Sequence, residues 1–442
     1  MFGLSLWMAL AASPAVTVAV RPRPWLDPEI AADAPRREGF EFDPMFDHQK
    51  VRPAYALRAF SVHPSLAGHP ERLAPNLLLG DLLFHAPALM GNAAKFFGMS
   101  CNSCHPNGSA TPDIWVGFQS KRTGTIDMLS DYFTPLADDG IDDARRVPSL
   151  RGARYTAPYG HAGSVGSLGD FIDHVVSMEL AQPPMRRDWR DALVLYIEQF
   201  DFLPDPYLDS LGHLNDTASP AAKLGEKLFE KPRPQFDGHS CASCHVQESF
   251  FTDRRTHAFN HGCDAAPGEG FDTPSLLNLD ERAPYFFDAC APTLKAAVNQ
   301  LDRKHHLALT ADEQAELTAY LEAVGAVSSE PSVPTTSGQV GHALAYLTLL
   351  QSGPLADDRD LWPLCLETVD HLLRGALREG SSAEQKTLGP AVMAFRTFAQ
   401  TKGSREPGAA NRAELARLAA RVSAALTASN PPVPVVHHGP AR

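Results

Sequence analysis

Two five-residue runs carry the chemistry of this chain: Cys101-Asn102-Ser103-Cys104-His105 and Cys241-Ala242-Ser243-Cys244-His245. Each sets two thiols at C-x-x-C spacing with an imidazole directly after the second. This is the pattern that attaches a c-type haem, the thiols becoming thioethers on the vinyl groups and the His becoming the proximal iron ligand. With seven cysteines and 18 histidines in 442 residues, chance supplies such a run roughly 0.005 times, so two copies are not coincidence. Redox-active C-x-x-C pairs and halves of zinc sites are the competing readings. Neither explains why His follows both times, and the additional ligand pairs that a zinc site needs are missing. Two covalently bound haem c groups are therefore expected, with His105 and His245 on the irons.

The elements that must position these motifs occur twice. Leu79-Gly80-Asp81-Leu82-Leu83-Phe84 approaches the first motif and Leu224-Gly225-Glu226-Lys227-Leu228-Phe229 the second. Downstream, Pro148-Ser149-Leu150 and Pro274-Ser275-Leu276 reach Ala157-Pro158-Tyr159 and Ala283-Pro284-Tyr285 after the same interval. Ser167-Leu168 and Thr293-Leu294 then open apolar helical patterns, with Ser or Thr as the cap. Each unit closes on another helix-like run, from Trp189 to Ile197 and from Asp312 to Leu321. The chain thus reads as mainly α, with two cytochrome c-like haem domains at 71–204 and 205–327, the linker near 201–220 being rich in Pro and Asp. Ser328 to Pro334 marks a boundary, and 338–427 follows as a helical bundle of three or four amphipathic helices with no third haem motif. Residues 428–442 read as a flexible tail.

A chain of 442 residues, 44% hydrophobic and 21% charged, is long enough for two or three cores. Thirty-nine basic residues against 52 acidic ones give −13, and no basic run suggests nucleic acid. The acidic surface suits a positively charged redox partner. Residues 1–20 are apolar and rich in small side chains, as in an export signal or a membrane anchor, although a basic start is missing. Residues 21–70, with Trp25 and the Phe40, Phe42 and Phe46 cluster, read as an N-terminal arm packed across a neighbouring domain. Haem c is ordinarily attached outside the cytoplasm, which places the protein in a bacterial periplasm, soluble or membrane-anchored. That compartment permits a disulfide. Cys263 and Cys290 flank the second P-S-L to A-P-Y segment and are expected to be bridged, whereas Cys365 sits in an apolar helical pattern as a buried thiol.

Over roughly residues 71–327 the chain resembles the bacterial di-haem cytochrome c peroxidase and methylamine-utilisation (MauG-like) haem proteins. The resemblance rests on the paired motifs, the Leu-Gly-x-x-Leu-Phe approaches, Phe251-Thr252-Asp253-Arg254 and the repeated P-S-L to A-P-Y segment. It implies that one haem reacts with peroxide or supports a related oxidation while the other relays electrons. It also directs attention to the distal side of each iron. A distal Met or His in the second unit would fall near Leu301, which cannot ligate iron, with His305 and His306 following. The comparable helix of the first unit offers His174 and Met178, one α-turn apart. They are candidate ligand or pocket residues, against a surface His and a core-filling Met. His161 matches the His of the family's run after P-Y, where the second unit has Phe287. His257 resembles a recurrent His that faces a haem or bonds a propionate. Glu179 is the acid-base candidate, against a solvated Glu at a helix end.

The function implied is a periplasmic di-haem c oxidoreductase reducing hydrogen peroxide with electrons from a small redox protein. The alternatives are MauG-like oxidation of a protein or metabolite, and a non-catalytic electron relay or sensor. A homo-oligomer fits any of the three.

Overall fold

Glycine marks the tightest helix crossing in each of the two repeats. The computed structural model describes residues 75–117, 119–130, 136, 138–258, 262–263, 270–327 and 336–429. The expected leader, the N-terminal arm and nearly all of the tail lie outside them. Helix α1 (Pro75–Phe84) crosses α5 (Arg187–Ile197), and α6 (Pro220–Glu230) crosses α9 (Ala311–Gly325). A Cβ on Gly80 would land on the Ala192 carbonyl and within 2.7 Å of Tyr196 Cβ. One on Gly225 would land on the Glu316 carbonyl and within 2.7 Å of Tyr320 Cβ. Backbone therefore meets backbone at both crossings, which only a residue without a side chain permits. This accounts for the repeated Leu-Gly in physical terms.

Helix α2 (Gly91–Phe97) leads to the first haem motif, and each motif forms a one-turn helix, α3 (Cys101–Cys104) and α7 (Cys241–Cys244). Both turns open with a capping box, in which Ser100 pairs with Ser103 and Ser240 with Ser243. After them come matching hairpins. Strand β1 (Thr125–Ile126) pairs antiparallel with β2 (Arg145–Arg146), and β3 (Thr256–His257) with β4 (Phe271–Asp272). The two A-P-Y segments also match: both Ala-Pro bonds are cis. Tyr159 donates to the Ala153 carbonyl at 3.0 Å and Tyr285 to the Leu279 carbonyl at 3.2 Å. The segments lead into α4 (Leu168–His174), capped by Ser167, and α8 (Leu294–His305), capped by Thr293.

The repeats meet face to face with reciprocal contacts. Arg146 N–H donates to the Phe287 carbonyl, and Asp272 N–H to the His161 carbonyl at 2.8 Å. Arg146 and Asp272 occupy equivalent places in the two units, as do His161 and Phe287, so the contact is an internal copy of an isologous interface. Buried Arg151 and Glu281 pair across it at 3.1 Å, and Ser109 donates to the same carboxylate oxygen. Asn278 binds both the N–H and the carbonyl of Leu203.

Four helices follow: α10 (Thr336–Leu349), α11 (Leu361–Glu379), α12 (Ser382–Gln400) and α13 (Ala409–Ser429), the last running slightly beyond the sequence-based limit of 427. They share one apolar core with the first unit. Leu82, Leu83 and Phe84 join Tyr346, Trp362, Phe395 and Leu415 in it, whereas the second unit has its own cluster around Phe229, Phe251 and Tyr320. Arg186 reaches Asp358 at 2.8 Å to seal that contact from outside the core. The molecule is mainly helical, and among the described residues no helix is long and apolar enough to cross a membrane.

Candidate haem sites and a candidate reaction pocket

The two motif histidines are oriented by carbonyl oxygens. His105 Nδ1 lies 2.9 Å from the Pro148 carbonyl, and His245 Nδ1 lies 3.1 Å from that of Phe251, with the Pro274 carbonyl also in play. A carbonyl only accepts, so Nδ1 must carry the proton and Nε2 is left as the ligating nitrogen. Pro148 and Pro274 open the two P-S-L runs. The sequence displayed that repeat without revealing its task. Phe251 sits with Phe250 in the left-handed region, at φ 57° and 56°, and this strained turn carries the accepting carbonyl to His245.

Burial depresses His105 to about 4, against the pull of its Pro148 bond, and likewise lowers His245. Both imidazoles are thereby held neutral, the form that binds iron. The four motif cysteines are not paired with one another. Burial pushes Cys101 up to about 12, with Cys104 adding to the effect, and pushes Cys104 and Cys241 up to about 11. Thiols so reluctant to ionise are poor redox nucleophiles. Among the described residues, no group able to hold a metal ion contains two motif cysteines. The donor set fits covalent haem better than a redox pair or a zinc site. Apolar walls complete the fit, with Cys104 packed among Met90, Ile126, Val147 and Leu180, and Cys241 set against the cluster of Phe250, Phe251 and Leu277.

Beside the first motif the backbone departs from the α register. Helix α4 passes into a π-turn over Val175–Glu179, with Leu180 N–H donating to the Val175 carbonyl at 3.0 Å. In an α-helix His174 would align with Met178. Here it is Glu179 whose Oε1 comes to 3.9 Å from His174 Nε2, while Met178 is 60% exposed. Val175 and Leu180, bracketing the turn, pack in the cluster that contains Cys104. The pair accordingly borders the first haem site. Burial raises the Glu179 pKa, and His174 pulls it back down. A carboxyl poised in this way exchanges protons nearer neutrality than a surface Glu does.

The second unit has a regular helix in that place. Leu301 is half-buried there, and His305 packs edge-on to Phe236 at 5.4 Å. Buried Gln300 sits beside the bridged pair Cys263 and Cys290. The two distal sides are thus built differently although their helices correspond. His161 lies at the contact between units, 6.5 Å from the Phe287 ring, and is lowered to about 4 by burial and then by Arg145 and Arg146. His257 contacts Asp253 at 2.7 Å and adjoins Cys244, and these two partners raise it to about 10.

The di-haem cytochrome c peroxidase family profile matches residues 219–345, spanning the second motif. That stretch is similar to the di-haem cytochrome c peroxidase family. A relative is the hydrazine synthase subunit gamma of Kuenenia stuttgartiensis, 25% identical over 284 residues, 51% of this chain and 72% of the relative. Among solved structures, Kuenenia stuttgartiensis hydrazine synthase pressurised with xenon aligns at 22% identity and TM-score 0.39, over 55% of this chain and 85% of that one. A MauG-like protein associated with microbial copper homeostasis aligns at 17% and 0.40, over 56% and 88%. The similarity over residues 219–345 points to haem redox chemistry there.

Proposed function

We propose that this is a periplasmic di-haem c oxidoreductase that reduces hydrogen peroxide at its first haem unit, with electrons delivered by a small redox protein through the second. Cys101, Cys104 and His105 would hold one haem, and Cys241, Cys244 and His245 the other. Bound haem would supply the iron that takes up peroxide and electrons. The observation that carries the reading is the Glu179–His174 pair on the π-turn beside Cys104. Glu179 takes the proton from the near oxygen of a peroxide in this pocket and returns it to the far one as the O–O bond breaks, while His174 orients the carboxylate. The regular α8 and its Gln300 give the second unit no such pair, which suits it to relay.

The test begins with intact mass and haem staining after unfolding, which should reveal two covalent haems. Half-reduced protein is then mixed with peroxide while both haem spectra and donor oxidation are followed. Glu179→Gln is expected to lower turnover by about 10²–10⁴-fold. It should also abolish the acid limb of the pH profile, since the base must be ionised and the rate therefore climbs as pH rises through its raised pKa. If both haems stay six-coordinate in every redox state and peroxide drives no turnover, the protein is a relay or sensor. Hydrazine joins the substrate panel because of the 25% identity to a hydrazine synthase subunit. Peroxide-independent turnover of it, or of a protein substrate, would favour the oxidation reading.

A further inference from the structure

A second polar centre lies away from both haem motifs, where α1 meets α10. Asp81 lies near the end of α1 and His85 in the turn just after it, four residues on, while His342 and Tyr346 stand four apart on α10, so the end of α1 opposes one face of α10. All four side chains are buried, with Asp81 fully enclosed at 0% exposure. Asp81 Oδ1 is 3.1 Å from His85 Nδ1, and Oδ2 is 3.3 Å from His342 Nδ1. Tyr346 Oη is 3.3 Å from each of those nitrogens. His85 Nδ1 also lies 2.9 Å from the Asp81 carbonyl, so in the metal-free protein it carries a proton that metal binding would displace.

We propose that Asp81, His85 and His342, with Tyr346 alongside, bind a divalent transition metal of the zinc class and so tie the C-terminal helices to the first haem unit. Facing helices with ligands at i and i+4 are the usual way to build a metal site inside a bundle. Two imidazoles and a carboxylate are donors that zinc accepts, at about 2.0–2.1 Å in a tetrahedron whose edges are then about 3.3 Å. The separations from Asp81 to His85 and to His342, one from each carboxylate oxygen, are close to those edges. The ligand oxygens and nitrogens of Asp81, His85 and His342 all fall within 4.8 Å of one another.

A separate observation points to a cation. Both carboxylate oxygens of Asp81 are buried without a well-aligned hydrogen bond, despite the nearby nitrogens. Enclosing an ionised carboxylate in that way is costly unless a positive charge compensates it. The second repeat supplies an internal contrast. There the positions of Asp81 and His85 are taken by Glu226 and Glu230, which face His213 in an open setting where solvent and ion pairing satisfy the charges. One metal per chain is therefore expected, not two.

The test uses the full-length haem-loaded protein after washing with chelator. Zinc chloride is titrated by calorimetry, and zinc per chain is counted by elemental mass spectrometry after gel filtration, with haem iron counted separately. The expected result is one retained zinc, a raised melting temperature, and binding weakened at least about 100-fold in Asp81→Asn and His342→Gln. Asp81→Asn preserves shape, and unchanged circular dichroism and haem content certify its fold. Two results overturn the proposal: no zinc retained with no thermal shift in the unaltered protein, or zinc bound equally well by both variants. The first would leave the cluster as a buried charge-paired network, and the second would place the metal elsewhere.

Discussion

A histidine that binds iron depends on its other nitrogen, and in this chain both motif imidazoles are fixed by backbone carbonyls. A carboxyl at the contact between units illustrates how strongly such positions feel burial. Asp272 is pushed up to about 8, first by burial and then by Asp253, and one of its oxygens is buried without a hydrogen bond. From about pH 4 to 8 the native protein keeps a proton that the unfolded chain releases, so stability falls as pH rises across that window. Asp272→Asn removes this dependence. Its stability relative to the parent should accordingly be greater at pH 8 than at pH 5 in parallel denaturant titrations, and an equal difference at both would mean that Asp272 ionises normally. At this scale the two C-x-x-C-H runs were legible in the sequence, because their pattern is local. The sequence could not disclose Asp81 with His342 or Arg151 with Glu281, because those pairs exist only after distant segments pack.

The elements were legible wherever one period governs them, and illegible where a single inserted position breaks it. The spacing of His174 and Met178 implied a shared helical face, but the π-turn at Val175–Glu179 brings Glu179 toward His174 instead. Deleting Ser177 should return the turn to α register with Glu179 four residues from His174, so that the two side chains still share a face. Peroxide turnover should then persist alongside haem content and helical circular dichroism; a fall as deep as in Glu179→Gln would show that the π-turn itself, and not only the pair, is required. The Leu-Gly repeats were visible in sequence, but their purpose emerges only from the crossings. Gly80→Ala or Gly225→Ala drives a methyl into the carbonyl of the facing helix. Each should cost about 1–3 kcal/mol or more, and Gly80→Ala should lower the first unit's thermal transition while leaving the second nearly in place. Denaturation followed separately at each haem's absorbance checks this.

At the scale of the whole molecule the chain is two related haem-motif units plus four helices, yet its cores divide differently from its repeats. The boundary at Ser328 to Pro334 suggested a bundle appended after the second unit, and that segment itself lies outside the described residues. The helices beyond it pack on the first unit and merge with its core. Hydrophobic periodicity identifies a buried face but not its partner, which is why this association was not readable. Its consequence is specific. A chain ending at residue 327 would expose the face of α1 that meets α10 and would leave Asp81 without His342. It would also remove Asp358 from Arg186 and Glu367 from Lys95. The second unit keeps its own cluster of Phe229, Phe251 and Tyr320. The truncated protein should therefore lose the cooperative unfolding of the first unit, bind a hydrophobic dye and report a perturbed first haem, with the second unit's transition largely preserved. Two unchanged transitions, each at its full-length temperature, would instead make the four helices an independent module whose contact with the first unit adds nothing to its stability.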